Sequence, residues 1–343
     1  VTPATINLLI AALMVLLVFG WVSRKWGRVS ALLAACGLIV SNQTGFIISQ
    51  TKHDFLAATF AILAVMIWDS TRQSRHRHAA HLLWGSALGW AFCTKYPAAA
   101  IGAGLIVWQF VQGRYIWRKN ATSVAFGLIG FFMATIPFLL KNWLMTRNPI
   151  YPFFFGGLGW TEASDLAFRL QTFAEGNLSW RQPLRFARAF GTLFTEYAPI
   201  AGLGLPLVVL SLQRSMRDLL PLAIVAVGGI LALLFLAPIL RYMTPLAFLF
   251  TIFGAIAIVR SPLWNGRSKP YGVVITLAIL TLGLIQAIAT ADFQGQNGRK
   301  LAAGLGLERA EAFLERTLTT YWQAAERLTY HPPARLLLVG ESK

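Results

Sequence analysis

Asp54 stands in the stretch ISQTKHDFLAATFAILA (47–63), beside Lys52 and His53 and directly before a long apolar run. A carboxylate in so oily a sequence is expensive, and two compatible roles account for it. As the residue before a helix over 55–68 it is an N-cap. As a free carboxylate it can organise a sugar donor, or serve as a ligand if a divalent cation is used. Lys95 and Tyr96, in CTKYPA, are either an interfacial anchor or a cation and hydroxyl for a lipid phosphate. Arg241 and Tyr242, in APILRYMTP, offer a guanidinium that can fork onto a phosphate. Further along, Arg181, Arg185 and Arg188 recur at i, i+4, i+7 and stack on one face of a helix. Phe186, Phe190, Leu193 and Tyr197 take another face, so this helix is expected to lie in the membrane interface, as an anchor or beside an anionic lipid. Asn148 and Tyr151, in KNWLMTRNPIYPFFFGG, join these as candidate lipid or loop contacts. One acid among phosphate-compatible cations suits an enzyme acting on a lipid-phosphate-linked substrate.

The elements that must position these groups follow from composition. The 343-residue chain is 56% hydrophobic and 13% charged, against roughly 25% charge in soluble domains. Its apolar segments are continuous and of span length, which predicts an all-α polytopic membrane protein and excludes a barrel. Ten spans are expected, at 5–22, 29–48, 55–68, 80–94, 97–112, 121–144, 198–212, 219–237, 243–259 and 271–290. Every second connection is short and basic. Arg24, Lys25 and Arg28 form the first such loop, Arg72, Arg75 and Arg77 the second, and Arg114, Arg118 and Lys119 the third. Arg214 and Arg217, then Arg260, Arg267 and Lys269, complete the series. Such loops are cytoplasmic, and Asp54, Lys95 and Arg241 then share the external face. Residues 80–112 could be one long helix broken at Pro97, but the same parity forbids it and requires the segment to go out and return, turning near TKYP.

The net charge of +17 belongs to these loops and anionic lipid, with no nucleic acid implied. Cys36 and Cys93 lie in apolar helices without CxxC spacing and read as packing residues. His76, His78 and His81 lack a thiol partner in a basic loop and read as solvated. There is no Walker loop, GxSxG, HExxH or internal repeat. Val1 stands outside by this topology, so an earlier span is expected. RLTYHPPARLLLVGESK reads as a helix end, a turn and one buried strand. The expected layout is therefore a membrane module over 1–291, including an external loop over 145–197, and the start of an external α/β domain over 292–343, with both ends truncated.

Taken in order, the Asp54 loop with FLAATFAILA, then GSALGWAFCTKYPA, KNWLMTRNPIYPF, LRYMTPLAFLF and YWQAAERLTYHPPARLLLVGES resemble the GT-C membrane glycosyltransferases, near the protein O-mannosyltransferase and aminoarabinose transferase branch. The resemblance runs over nearly the whole chain. It implies a polyprenyl-phosphate-linked sugar as partner, membrane lipid around it, and inverting transfer to a glycan, lipid or protein on the external face of a bacterial inner membrane. It places the main catalytic base in a loop before Val1, makes Asp54 a supporting carboxylate, and puts Lys95, Arg241 and Tyr242 near the lipid phosphate. Metal dependence stays open, with Asp54 the candidate ligand. The competing readings are a transporter or flippase, which would hold charges near the bilayer midplane, and a lipid-linked glycan polymerase or ligase.

Overall fold

The computed structural model describes residues 3–41, 54–71, 77–112, 117–151, 219–236, 244–261 and 269–293, with positions 158, 161–164, 264 and 312 between and after them. Every element among these is helical. The order is α1 (Pro3–Trp26), α2 (Arg28–Val40), α3 (Asp54–Thr71), α4 (Arg77–Thr94), a 3₁₀ turn (Tyr96–Ala99), α5 (Ala100–Gln112), α6 (Trp117–Thr146), α7 (Leu220–Leu236), α8 (Thr244–Arg260) and α9 (Lys269–Phe293). They coincide with nine of the expected spans. The span expected at 198–212 and the external domain over 292–343 fall outside the described residues, save for Ala312. By length and composition, Thr5–Trp26 and Ala121–Thr146 can cross a membrane, and several shorter helices are apolar.

Local sequence explains the element ends. Gly27 takes φ 91° between α1 and α2, a conformation that costs a residue with a Cβ. Pro245 and Pro270 sit in the first turns of α8 and α9, where a missing N–H removes no helical bond. Pro97 follows Lys95, whose extended backbone (φ −160°, ψ 112°) ends the run of α4.

At that break the chain reverses. A Cβ on Gly102 would lie 2.3 Å from Leu88 Cδ2. These residues are equidistant from Lys95 along the chain, and a continuous helix would hold them about 20 Å apart. Helix α4 then packs parallel to α6: Gly85 against Gly127, Gly89 against Ala134, Cys93 Sγ 3.8 Å from the Ala134 carbonyl, and Tyr96 against Phe138. Helix α5 instead runs antiparallel to α7, with Gly104 against Val225 and Ala100 near Gly229. Parallel α4 and α6 with a returning α5 are the directions that the basic loops required. The close approaches rest on glycine, because a Cβ at Gly85 would stand 1.9 Å from the Gly127 carbonyl oxygen. Small residues let backbones meet where lipid supplies no hydrophobic drive.

Helix α8 is the centre of the bundle. All fourteen residues from Thr244 to Ala257 are buried, and the helix packs on α2 and α3. The outside is apolar: Leu9, Leu13 and Leu16 of α1, Phe132, Met133 and Ile136 of α6, and Val274 and Leu277 of α9 are all exposed. Apolar faces this extensive are untenable in water and suit contact with acyl chains.

Candidate functional site

Asp54 is the first residue of α3 and is 4% exposed. Phe55 beside it packs on Phe248 at 5.4 Å, which fixes the start of α3 against the central helix. Lys95 occupies the turn after α4, and its Nζ donates to Asp54 Oδ1. The reversal at Lys95 is what delivers the ammonium: the extended residue stops α4 level with the first turn of α3. Among the described residues, Oδ2 of Asp54 has no hydrogen-bond partner.

Tyr96 continues the site. Its ring packs on Phe92 at 4.8 Å and Phe138 at 6.1 Å. Its hydroxyl donates to the Tyr151 carbonyl at 3.0 Å and accepts from Asn142 Nδ2 at 3.2 Å. Burial raises the Tyr96 phenol above its ordinary value of 10.0, outweighing the Asn142 hydrogen bond, which lowers it. The phenol therefore stays protonated and remains a donor. Asn142 also donates to the Pro149 carbonyl at 3.3 Å. Asn148 is 1% exposed, and its Oδ1 accepts from the Ile150 N–H at 2.9 Å, an Asx turn that folds residues 147–151 back over the end of α6. Tyr151 thus contributes its carbonyl and Asn148 its turn. Asn142 was not singled out as a candidate. Its signal was a Lys141–Asn142 polar pair one turn before the end of a helix whose preceding residues 124–140 are apolar but for Thr135; the Thr146 hydroxyl donates to the Asn142 carbonyl at 2.8 Å.

Asp54, Lys95, Tyr96, Asn148 and Tyr151 therefore gather at one end of the bundle. Arg241, Tyr242, Arg181, Arg185 and Arg188 lie outside the described residues. A carboxylate already held by an ammonium is a poor donor set for a divalent cation, which takes six or more oxygen ligands as Ca²⁺ or an octahedron as Mg²⁺. Among the described residues no group of three or more His, Cys, Asp or Glu assembles.

A second charged cluster lies at the opposite, basic end. Asp69, 6% exposed, accepts from Trp21 Nε1 at 3.0 Å through Oδ2 and from Lys25 Nζ through Oδ1. Its sequence context, WDST before a basic loop, resembled an ordinary helix end. His81 corrects the expectation of a solvated loop. It is 7% exposed, between α4 and α6, with Trp84 Nε1 donating to Nδ1 at 3.0 Å and Ser123 Oγ 2.8 Å from Nε2. An indole N–H only donates, so neutral His81 carries its proton on Nε2 and gives it to Ser123. The reason is packing: His81 lies in the first turns of α4, on the face that meets Ser123 of α6. His78 stays exposed and packs on Phe126 at 4.5 Å.

Residues 4–140 match the family model described as dolichyl-phosphate-mannose-protein mannosyltransferase. The matched segment contains Asp54, Lys95 and Tyr96. It is similar to the membrane mannosyltransferases over α1 to α6, less than half of the chain. No curated protein matches the chain. No solved structure matches it either.

Proposed function

We propose that this chain belongs to an integral-membrane glycosyltransferase that moves a sugar from a polyprenyl-phosphate donor to a glycan, lipid or protein acceptor on the external face. The observation that carries the reading is coincidence. The segment similar to mannosyltransferases holds a buried carboxylate–ammonium pair at the end of the bundle away from the basic helix termini. In the transfer, the anomeric C–O bond to phosphate breaks and its electron pair leaves on the phosphate oxygen. A new C–O bond forms to the acceptor, whose proton passes to a carboxylate base. Lys95 and Arg241 neutralise the departing phosphate while Tyr242 donates a hydrogen bond to it, and such charge matching in a dry site is worth orders of magnitude in rate. Asp54 holds the Lys95 ammonium at the turn and is the supporting carboxylate. Tyr96 fixes the turn from the other side, its hydroxyl held between the Tyr151 carbonyl and Asn142.

The test is incubation of the protein in proteoliposomes with a panel of radiolabelled polyprenyl-monophosphate sugars. Release of sugar from one donor that falls at least tenfold in Arg241→Ala and in Lys95→Ala supports the reading. Counterflow of an intact lipid-linked sugar without release would establish a transporter instead. Turnover of only diphosphate donors would establish a polymerase or ligase.

A further inference from the structure

The external end of α6 has two faces. One, bearing Gly127, Gly130, Ala134, Phe138 and Asn142, is taken by α4 and the Tyr96 turn. The other bears Ile136, Leu139, Leu140 and Trp143 in helical register, and with Arg147 and Pro149 they line an open groove of about 420 Å³. Ile136, Leu140 and Trp143 are each roughly half exposed, so the groove meets bilayer. Trp143 stands near the end of the helix, where an indole suits the membrane–water interface.

Arg147 closes the groove. It is the residue after the last helical one, at φ 60°, and its N–H returns to the Trp143 carbonyl at 2.9 Å. That left-handed cap is normally glycine, and an arginine there bears a steric cost. Arg147 is exposed, and among the described residues no carboxylate pairs with it. An apolar furrow as long as two helical turns, ending in one guanidinium at the interface, is complementary to one acyl chain and one phosphodiester.

We propose that this groove binds an anionic glycerophospholipid of the surrounding bilayer, with an acyl chain along Ile136–Trp143 and its phosphate on Arg147. The groove lies on the far side of α6 from Lys95 and Asp54. A sugar donor reaching that pair cannot place the same phosphate on Arg147, so the occupant is structural lipid, and the proposal stands apart from sugar transfer.

The full chain, in nanodiscs of equimolar phosphatidylglycerol and phosphatidylcholine, is released into native mass spectrometry and its retained lipid counted. The wild type keeps phosphatidylglycerol preferentially. Arg147→Gln lowers its retention roughly tenfold, the loss of one charge-assisted contact, and leaves phosphatidylcholine unchanged. Lys141→Gln, an exposed cation on another face of α6, has no effect. Arg147→Gly relieves the backbone and holds or raises the melting temperature, yet loses phosphatidylglycerol like Arg147→Gln, which separates binding from folding. Equal retention in Arg147→Gln and wild type overturns the proposal. So does an equal loss in Lys141→Gln, which marks diffuse charge. Displacement of the lipid by a short polyprenyl monophosphate, in an Arg147-dependent manner, assigns the groove to the donor and also overturns it.

Discussion

Helix α3 carries one aspartate at each end, fifteen residues and about 22 Å apart, and each meets a lysine from a neighbouring helix end. The two pairs differ in what surrounds them. At the basic end, Asp69 has one oxygen on Trp21 and the other on Lys25, and the lysine side chain is 36% exposed and lies over the Trp26 ring. This carboxylate is occupied, and it staples α1 to α3. At the other end, Asp54 has a single described partner, and the lysine is 24% exposed and anchored in a turn braced by Tyr96 and Asn142. Among the described residues, the second oxygen of this buried carboxylate is unused, and a half-used buried carboxylate is a costly way to hold two helices together. The same pairing of residue types thus makes a fully occupied clamp at one end, while the proposed site at the other uses one described carboxylate oxygen.

Breaking the pairs from the lysine side separates them most. Lys95→Ala leaves Asp54 buried without its cation, so a destabilisation on the order of 3 kcal/mol is expected, with transfer lost by more than a hundredfold. Lys25→Ala leaves Asp69 its Trp21 bond and a wet rim, and about 1 kcal/mol is expected after solvent screening, with transfer within threefold. Melting of the detergent-solubilised protein and donor turnover read both; equal effects at the two ends would erase the distinction. Next, Asp54→Asn should keep the shape of α3 and lose activity at least tenfold. Asp69→Asn should lose stability of about 1–2 kcal/mol and keep activity. Asn142→Ala removes a neutral hydrogen bond from the Tyr96 turn, so about 1 kcal/mol and a few-fold lower turnover are expected, with the double variant Asn142→Ala, Lys95→Ala no worse in turnover than Lys95→Ala.

The smallest effect is on pH. Tyr96 holds its proton more tightly folded than unfolded. Its contribution to stability is therefore complete below the ordinary phenol value of 10.0 and declines as pH rises through the higher folded value. Tyr96→Phe should flatten that alkaline decline in a melting-temperature profile. A decline already present at pH 8 and removed by Tyr96→Phe would contradict the burial argument.

A cysteine at position 73 should resist membrane-impermeant labelling from outside and one at position 160 should react; the reverse would exchange the two ends of α3 with respect to the membrane.

Much of the bundle was legible because membrane helices declare themselves locally. Twenty apolar residues in a row have few alternatives in lipid, and the alternation of basic loops implied the return at TKYP that Leu88 and Gly102 display. Asp54, Lys95 and Tyr96 stood out because ionisable and phenolic groups are rare among such residues. Asn142 and Asp69 did not, since a polar residue near a helix end has many ordinary explanations. His81 was misjudged because it was grouped with His76 and His78 in the loop although it falls inside the span expected at 80–94, and which face of that helix meets α6 is not written in the local sequence.

The sequence by itself determined that the described residues are helical, where those helices lie, and that α4, α5 and α6 alternate in direction, because backbone bonding in lipid and the placement of positive charge are properties of single segments. Only the tertiary structure decided that Lys95 reaches Asp54, that Lys25 reaches Asp69, and that α8 is buried on every side. Those outcomes depend on which helices approach closely, set by glycines such as Gly85, Gly104 and Gly127 at distances of a few ångströms. An apolar residue reads alike in one dimension whether it faces lipid or a neighbouring helix.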